Sequence, residues 1–206
     1  MPPKNPSDGQ KRPSFIEAAR RAQLIACAIE IIATQGYAQA SLAHIAERAG
    51  ISKSAIAYYF SSKEELIEQV GKEILTDAAN VIGPQIASQP TPRLRLHAYI
   101  QAHVTYIHSH LQYMMAVMEI ASNARALSYA ATAQRPVLKA LETLLRNGQE
   151  AGEFRAFDPH VMAVTIRGAI DKLSPLFMSE PDLEPETYAR ELVALFDRAT
   201  RKEDLP

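Results

Sequence analysis

The sequence predicts an all-α fold in two parts: a three-helix N-terminal head and a larger C-terminal helical bundle. Three observations predict it. Apolar residues recur three and four apart, the helical period, through most of the chain. Residues that cap helices (Ser41, Ser52, Thr91, Asp158) stand before these stretches, and Gly or Pro punctuates them. The 206 residues include no Trp and only 8 Gly, which speaks against a β-rich chain, and the 47% apolar content is ample for a core. The predicted units are a polar, Pro-rich tail over residues 1–14, a head over 15–66 and a body over 67–206.

The tail carries Lys4, Lys11 and Arg12, and Arg20 and Arg21 continue its charge into the first helix. Such a segment is either a solvated, disordered tail or a basic arm that reaches DNA. The first helix runs from Phe15 to Gln35. Ala22, Ile25, Ile29 and Ile32 form its apolar stripe, Leu24, Ala28 and Ile31 widen it, and Gly36 stops it. Ser41 then caps a short helix containing Ile45, Ala46 and Ala49, and Gly50 ends it. Ser52 caps a second, Lys53 to Phe60, whose Ile56 and Phe60 pack against Ile45 and Ile51. Lys53, Ser54, Ala57 and Tyr58 are left facing outward. Two short helices joined by a tight glycine turn form the helix-turn-helix arrangement that reads DNA.

The stretch IAERAGISKSAIAYYFSSKEEL resembles the DNA-binding signature of the TetR/AcrR family of bacterial transcriptional regulators. The matching residues are Ile45-Ala46, Ala49-Gly50-Ile51-Ser52, Tyr59-Phe60 and Lys63-Glu64-x-Leu66. Ala57 departs from the pattern, standing where the family usually has Tyr. The resemblance implies that Ser52, Lys53, Ser54 and Tyr58 face the major groove, and that Ser41, Tyr59 and Lys63 face phosphates. Without a tyrosine at position 57, backbone binding falls more heavily on Tyr58, Tyr59 and Lys63. Lys53 is the long donor suited to guanine O6 and N7.

Ser61 with Glu64, or Ser62 with Glu65, fits a capping box that starts a fourth helix, ending near Val81 before Pro84. Residues 83–92 punctuate the chain, and Thr91-Pro92 starts the next helix. From Leu94 to Ser122 the pattern stays helical with a break near His108–His110. One stripe is Tyr99, His103, Tyr106, His110 and Tyr113. A second is Ile100, Val104, Ile107, Leu111, Met114, Met115 and Met118. Two readings of this surface stand side by side. His103, Tyr106, His110, Tyr113, Met114 and Met118, with Glu119, line a pocket for a small-molecule effector. Alternatively, the tyrosine and histidine tips are satisfied within a packed core. Glu119 is the only acid between Asp77 and Glu142, and its proposed partners are a cationic ligand or Arg125.

Residues 123–135 are Ala-rich and fit either helix or loop, and Pro136 suits a helix's first turn. Val137, Leu138, Leu141, Leu144 and Leu145 mark an amphipathic helix, ended by the turn AGEFRAFDP, which also resembles the TetR family. Asp158-Pro159 starts a helix with Val161, Val164, Ala169, Leu173 and Phe177 on its apolar side, kinked by Pro175. The last helix spans 186–200 with Tyr188, Leu192, Leu195 and Phe196 as its stripe. The resemblance implies that these last two helices meet a second copy, which assigns Val161, Val164, Phe177, Tyr188, Leu192 and Phe196 to a homodimer interface.

Composition bounds the alternatives. Net charge is −1, with +2 in residues 1–72 and −3 in 73–206, so charge permits DNA binding without arguing for it. No apolar run is long enough to span a membrane, and the first residues lack the apolar core of a signal peptide, so a cytoplasmic location is expected. Cys27 is the one cysteine and reads as a buried thiol. There is no Gly-x-Ser-x-Gly, phosphate loop, paired catalytic acids or metal-ligand spacing, so no enzyme activity, cofactor or metal is expected. The expected function is a DNA-binding regulator that acts as a dimer on a palindromic operator and answers to an unidentified small molecule. Repression follows from the family's habit. The alternatives are an activator, an architectural DNA binder without a ligand, or a helical carrier or enzyme.

Overall fold

The computed structural model describes residues 15–123 and 127–202, so the tail at 1–14 and Arg125 lie outside the described residues. Ten α-helices and one 3-10 turn account for most of what is described. They are α1 (Phe15–Gln35), the 3-10 turn Tyr37–Gln39, α2 (Leu42–Arg48), α3 (Lys53–Tyr59), α4 (Lys63–Ala87), α5 (Pro92–Ser109), α6 (Leu111–Ser122), α7 (Leu127–Glu150), α8 (Pro159–Asp171), α9 (Leu173–Ser179) and α10 (Pro185–Thr200).

Caps start the short helices as local chemistry requires. Ser41 accepts the His44 N–H, Ser52 that of Ala55, and Ser62 that of Glu65. Gly50, at φ +68°, turns the chain between α2 and α3, and the Ile51 N–H reaches back to the Ala46 carbonyl at 2.9 Å.

The apolar residues sort into two main clusters. The first joins Leu24, Ile29 and Ile32 of α1, Ile45 of α2, Ile56 of α3, Phe60, and Leu66 and Val70 of α4; Ala116 and Ile120 of α6 complete it. The second centres on α5, with Leu96, Ile100 and Val104 packed against Leu141 and Leu145 of α7, Ile166 and Ile170 of α8, Phe177 of α9 and Phe196 of α10. A helix from the body therefore closes the core of the head. The 66/67 boundary falls within the first turn of α4, which continues unbroken to residue 87.

Several expectations are corrected. Ala22 is exposed, so the α1 stripe is narrower at its start. α4 runs through Pro84, and α7 begins at Leu127 and runs through Pro136. Each proline removes only its own N–H bond, and the Ala-rich stretch before Pro136 is a strong helix former. α8 ends at Asp171, not at Pro175. Pro175 has no N–H to offer the Asp171 carbonyl, so the chain breaks at Lys172 and restarts as α9. Phe177 and Phe196, assigned to a dimer interface, are 2% and 4% exposed within the protomer's own core.

Two further features fix the body. Arg93 donates to both Asp197 oxygens at 2.6 and 2.7 Å, and His97 lies 2.8 Å from one of them, joining the start of α5 to α10. The Arg93 guanidinium, helped by His97, holds the Asp197 carboxyl down at about 2 against burial. In the turn after α7, Phe154 lies flat over Gly148, where a Cβ would meet its ring at 2.1 Å.

Candidate nucleic-acid interface and effector region

The outer face of α3 carries Lys53, Ser54 and Tyr58, all exposed, while Ile56 and Phe60 are sealed beneath it. Ser52 Oγ is 2.9 Å from Ser54 Oγ, and Lys53 makes no ion pair with a described residue. Tyr58 is 72% exposed, and its hydroxyl donates to Glu17 of α1 at 2.7 Å, which raises its pKa. Its ring meets that of Tyr59 edge-on at 5.1 Å.

Arg21, grouped in the sequence with the basic tail, belongs to the scaffold instead. It donates to the Tyr59 carbonyl at 2.5 Å, pairs with Glu65 at 3.2 Å and stacks over Phe60. Glu65 also accepts from the Ser61 N–H and hydroxyl, both at 2.8 Å, and these bonds lower its pKa. The arginine thus clamps the end of α3 to the start of α4.

Lys63 has a first partner other than the expected phosphate. Its ammonium donates to the Tyr37 carbonyl at 2.6 Å and sits 4.1 Å from the centre of the Tyr37 ring. Burial lowers its pKa. His44, in the first turn of α2 beside Ser41, was not singled out in the sequence. Its Nδ1 bonds the Gln39 carbonyl at 3.1 Å, and its place three residues after the cap was the available signal.

In the body, the predicted polar stripe divides. His103 donates from Nδ1 to the Tyr99 carbonyl at 2.7 Å, since a carbonyl only accepts. Its ring packs on Tyr99 at 4.1 Å. Burial, and then the charge of Arg167, push its pKa down to about 4, so it is neutral near pH 7. Arg167 in turn donates to the Tyr99 hydroxyl at 3.3 Å and pairs with Asp171.

Tyr106 belongs to a different group. Its hydroxyl donates to Asp77 of α4 at 2.7 Å, and burial followed by that bond raises its pKa. His110, at the α5–α6 break, bonds the Tyr106 carbonyl through Nδ1 at 2.9 Å, stacks on the Tyr106 ring, and places Nε2 3.7 Å from Asp77. Tyr113 lies 5.7 Å from the His110 ring. Met114 touches both main clusters. Met118 is 41% exposed.

Glu119 points away from this region altogether. Its Oε2 accepts the Tyr37 N–H at 3.2 Å, in the head. Of the effector set named from the sequence, Tyr106, His110, Tyr113 and Met114 lie together, whereas His103 joins Tyr99 and Arg167, and Glu119 joins Tyr37. Both histidines satisfy one nitrogen on a carbonyl four residues back, as the core reading has it. A cleft of about 390 Å³ lies between the end of α4, the start of α5 and α7, lined by Gly83, Ile86, Pro92, Arg95, Thr143 and Leu144, and none of the expected effector residues faces it. Among the described residues, no group of three His, Cys, Asp or Glu is placed to hold a metal. No described helix is long and apolar enough to cross a membrane. Cys27 is half-buried, and burial raises its thiol pKa.

Val161 and Val164 of α8 are 61% and 47% exposed, and Leu195 of α10 is also exposed. Tyr188 and Leu192 are half-buried.

Comparison with known proteins agrees with this architecture. Residues 24–70 match the family described as bacterial regulatory proteins, tetR family. Residues 89–199, more than half of the chain, match the tetracyclin repressor-like C-terminal domain. The fatty acid metabolism regulator protein of Bacillus subtilis (strain 168) is 26% identical over 166 residues, covering 79% of this chain and 82% of that protein. The HTH-type transcriptional regulator BetI 1 of Chromohalobacter salexigens is 36% identical over 86 residues, 41% of this chain and 43% of its own length, so that likeness spans less than half of either. The crystal structure of the transcriptional regulator FadR from Bacillus subtilis in complex with stearoyl-CoA superposes with a TM-score of 0.76 at 23% identity, covering 84% of this chain and 96% of that one.

Proposed function

This chain belongs to the tetR family of bacterial regulatory proteins, a family of transcriptional regulators and not of enzymes, and from that membership we propose that it represses transcription as a homodimer on a palindromic operator and leaves the DNA when a small molecule binds its body. The observation that carries this reading is the outer face of α3. Lys53, Ser54 and Tyr58 are exposed above a sealed apolar underside, with Ser54 bonded to Ser52 and the Tyr58 hydroxyl to Glu17, on a helix that can enter a major groove. Ser52 joins that face from the cap. Ser41 and Tyr59 supply phosphate contacts, and Lys63, while one N–H holds the Tyr37 carbonyl, turns a second toward a phosphate.

Dimerisation is supported by exposed apolar surface on the last helices. Val161, Val164 and Leu195 stand in solvent, and Gly168, one turn beyond Val164, offers no side chain to hold a partner helix away. Tyr188 and Leu192 flank this surface, whereas Phe177 and Phe196 do not belong to it. A single short helix reads few bases, and two heads on a two-fold axis read a palindrome.

A long-chain acyl-CoA is the first effector class to test. The fatty acid regulator resembles this chain over most of both lengths, and the FadR structure holds stearoyl-CoA. The experiment is selection of duplexes from a random pool with purified protein at stated salt, followed by titration with stearoyl-CoA. The expected result is an enriched palindrome with half-sites about one turn, ~34 Å, apart, released by the ligand. Salt-sensitive binding without an enriched sequence would overturn it in favour of architectural binding.

A further inference from the structure

We propose that Glu119 is a positioning residue for DNA binding: from α6 it fixes the turn at Tyr37 and, through Lys63, the start of α4 beside α3. The proposal rests on the reading of the head as a DNA reader.

Two polar groups of Tyr37 hold the parts together. Its N–H donates to Glu119 Oε2 at 3.2 Å, across 82 residues of sequence. Its carbonyl accepts the Lys63 ammonium at 2.6 Å, and its ring lies under that same ammonium. The carboxylate lies directly against the turn. Gly36 has φ +91°, and a Cβ there would sit 3.4 Å from Glu119 Oε2. Ala116 and Ile120, flanking Glu119 on α6, are buried in the head's own cluster, so the carboxylate is delivered at a fixed depth.

Apolar contacts alone are non-directional and tolerate sliding of one helix over another, whereas a hydrogen bond to one backbone N–H fixes register. Lys63 is separated from the end of α3 only by Phe60, Ser61 and Ser62. Anything that displaces α6 therefore acts first on Tyr37 and then on the helix beside the DNA-facing one.

Three full-length variants test this. Glu119→Ala removes the acceptor. Glu119→Asp keeps the charge but withdraws the oxygen by one methylene. Glu119→Gln keeps an acceptor oxygen at the same reach. Without DNA, the Ala and Asp variants should exchange amide hydrogens faster across residues 36–39 and 63–66, and the Gln variant should match wild type. Wild-type exchange in the Ala and Asp variants would overturn the proposal whatever the DNA result. On an operator from the random pool, the Ala and Asp variants should lose up to about tenfold in affinity, the Gln variant should recover it, and the salt slope should not change because no phosphate contact is removed. Faster exchange with wild-type affinity would overturn the positioning role. If wild type shows the protected turn but binds no duplex, the reading of the head itself fails.

Discussion

The head and the body differ in how regularly a polar side chain starts their helices. In the head, Ser41, Ser52 and Ser62 each cap a helix by bonding an N–H three residues on. In the body, α6, α9 and α10 start without one. Other partners come from far along the chain in both regions: Arg21 with Glu65 and Tyr58 with Glu17 in the head, Tyr106 with Asp77, Arg167 with Tyr99 and Asp197 with Arg93 in the body. The first kind of bond is written in local spacing. The second exists only once the helices have packed. Local caps set where the short helices of the head begin, and long-range pairs fix how the helices pack on one another.

The sharpest break of this comparison concerns whether the two regions are separate at all. Ile45→Ala in the head and Ile100→Ala in the body each remove a fully buried side chain and should cost about 2–5 kcal/mol. Because α6 completes the head's core and α4 spans both parts, both variants should shift one common urea transition. Two transitions, each moved by only one variant, would restore two independent units.

The next effect is acid sensitivity at His103 in the body. The folded His103 pKa is about 4, below the ordinary value of 6.5, so the unfolded chain binds the extra proton between those values. Stability is full above pH 6.5 and falls as pH drops toward 4, by up to about 3 kcal/mol. His103→Gln should flatten urea midpoints across that window. An unchanged profile would place the titrating group elsewhere.

Smaller effects sharpen the head. Lys53→Ala should alter preference at one base position by about 1–3 kcal/mol, read by competition among operator variants. Lys63→Met tests its two possible partners. If the lysine serves the Tyr37 carbonyl alone in the complex, the salt slope stays and thermal stability falls by about 1 kcal/mol. If it also serves a phosphate, the slope drops by about one unit as well.

Much of the fold was legible in the sequence. The boundaries of α1 match the expected Phe15–Gln35, and the break between α5 and α6 falls at His110 where the pattern weakened. The misses have physical causes. Pro84 and Pro136 lie inside helices, and a proline read as a boundary in sequence removes one N–H bond without having to end the helix around it. Phe177 and Phe196 lie on amphipathic stripes, and a stripe cannot say whether its apolar side meets its own core or a second copy. The bond of Glu119 to Tyr37 was not foreseen for the same reason that Asp77 was overlooked. Spacing places a carboxylate on a helix face, and only packing reveals that the face meets Tyr37 or Tyr106.

The unbroken length of α4 has a mechanical consequence. Its 25 residues make a rod about 37 Å long that runs from Lys63 in the head to Ala87 in the body. A swing of about 5° at the far end displaces Lys63 by about 3 Å, close to the ~3.4 Å step between base pairs. In a pair of such protomers the two displacements add or cancel according to the symmetry axis. Under the proposed dimeric, ligand-released reading, leverage of this size lets a small shift at the body end of α4 put two reading heads out of phase with the double helix.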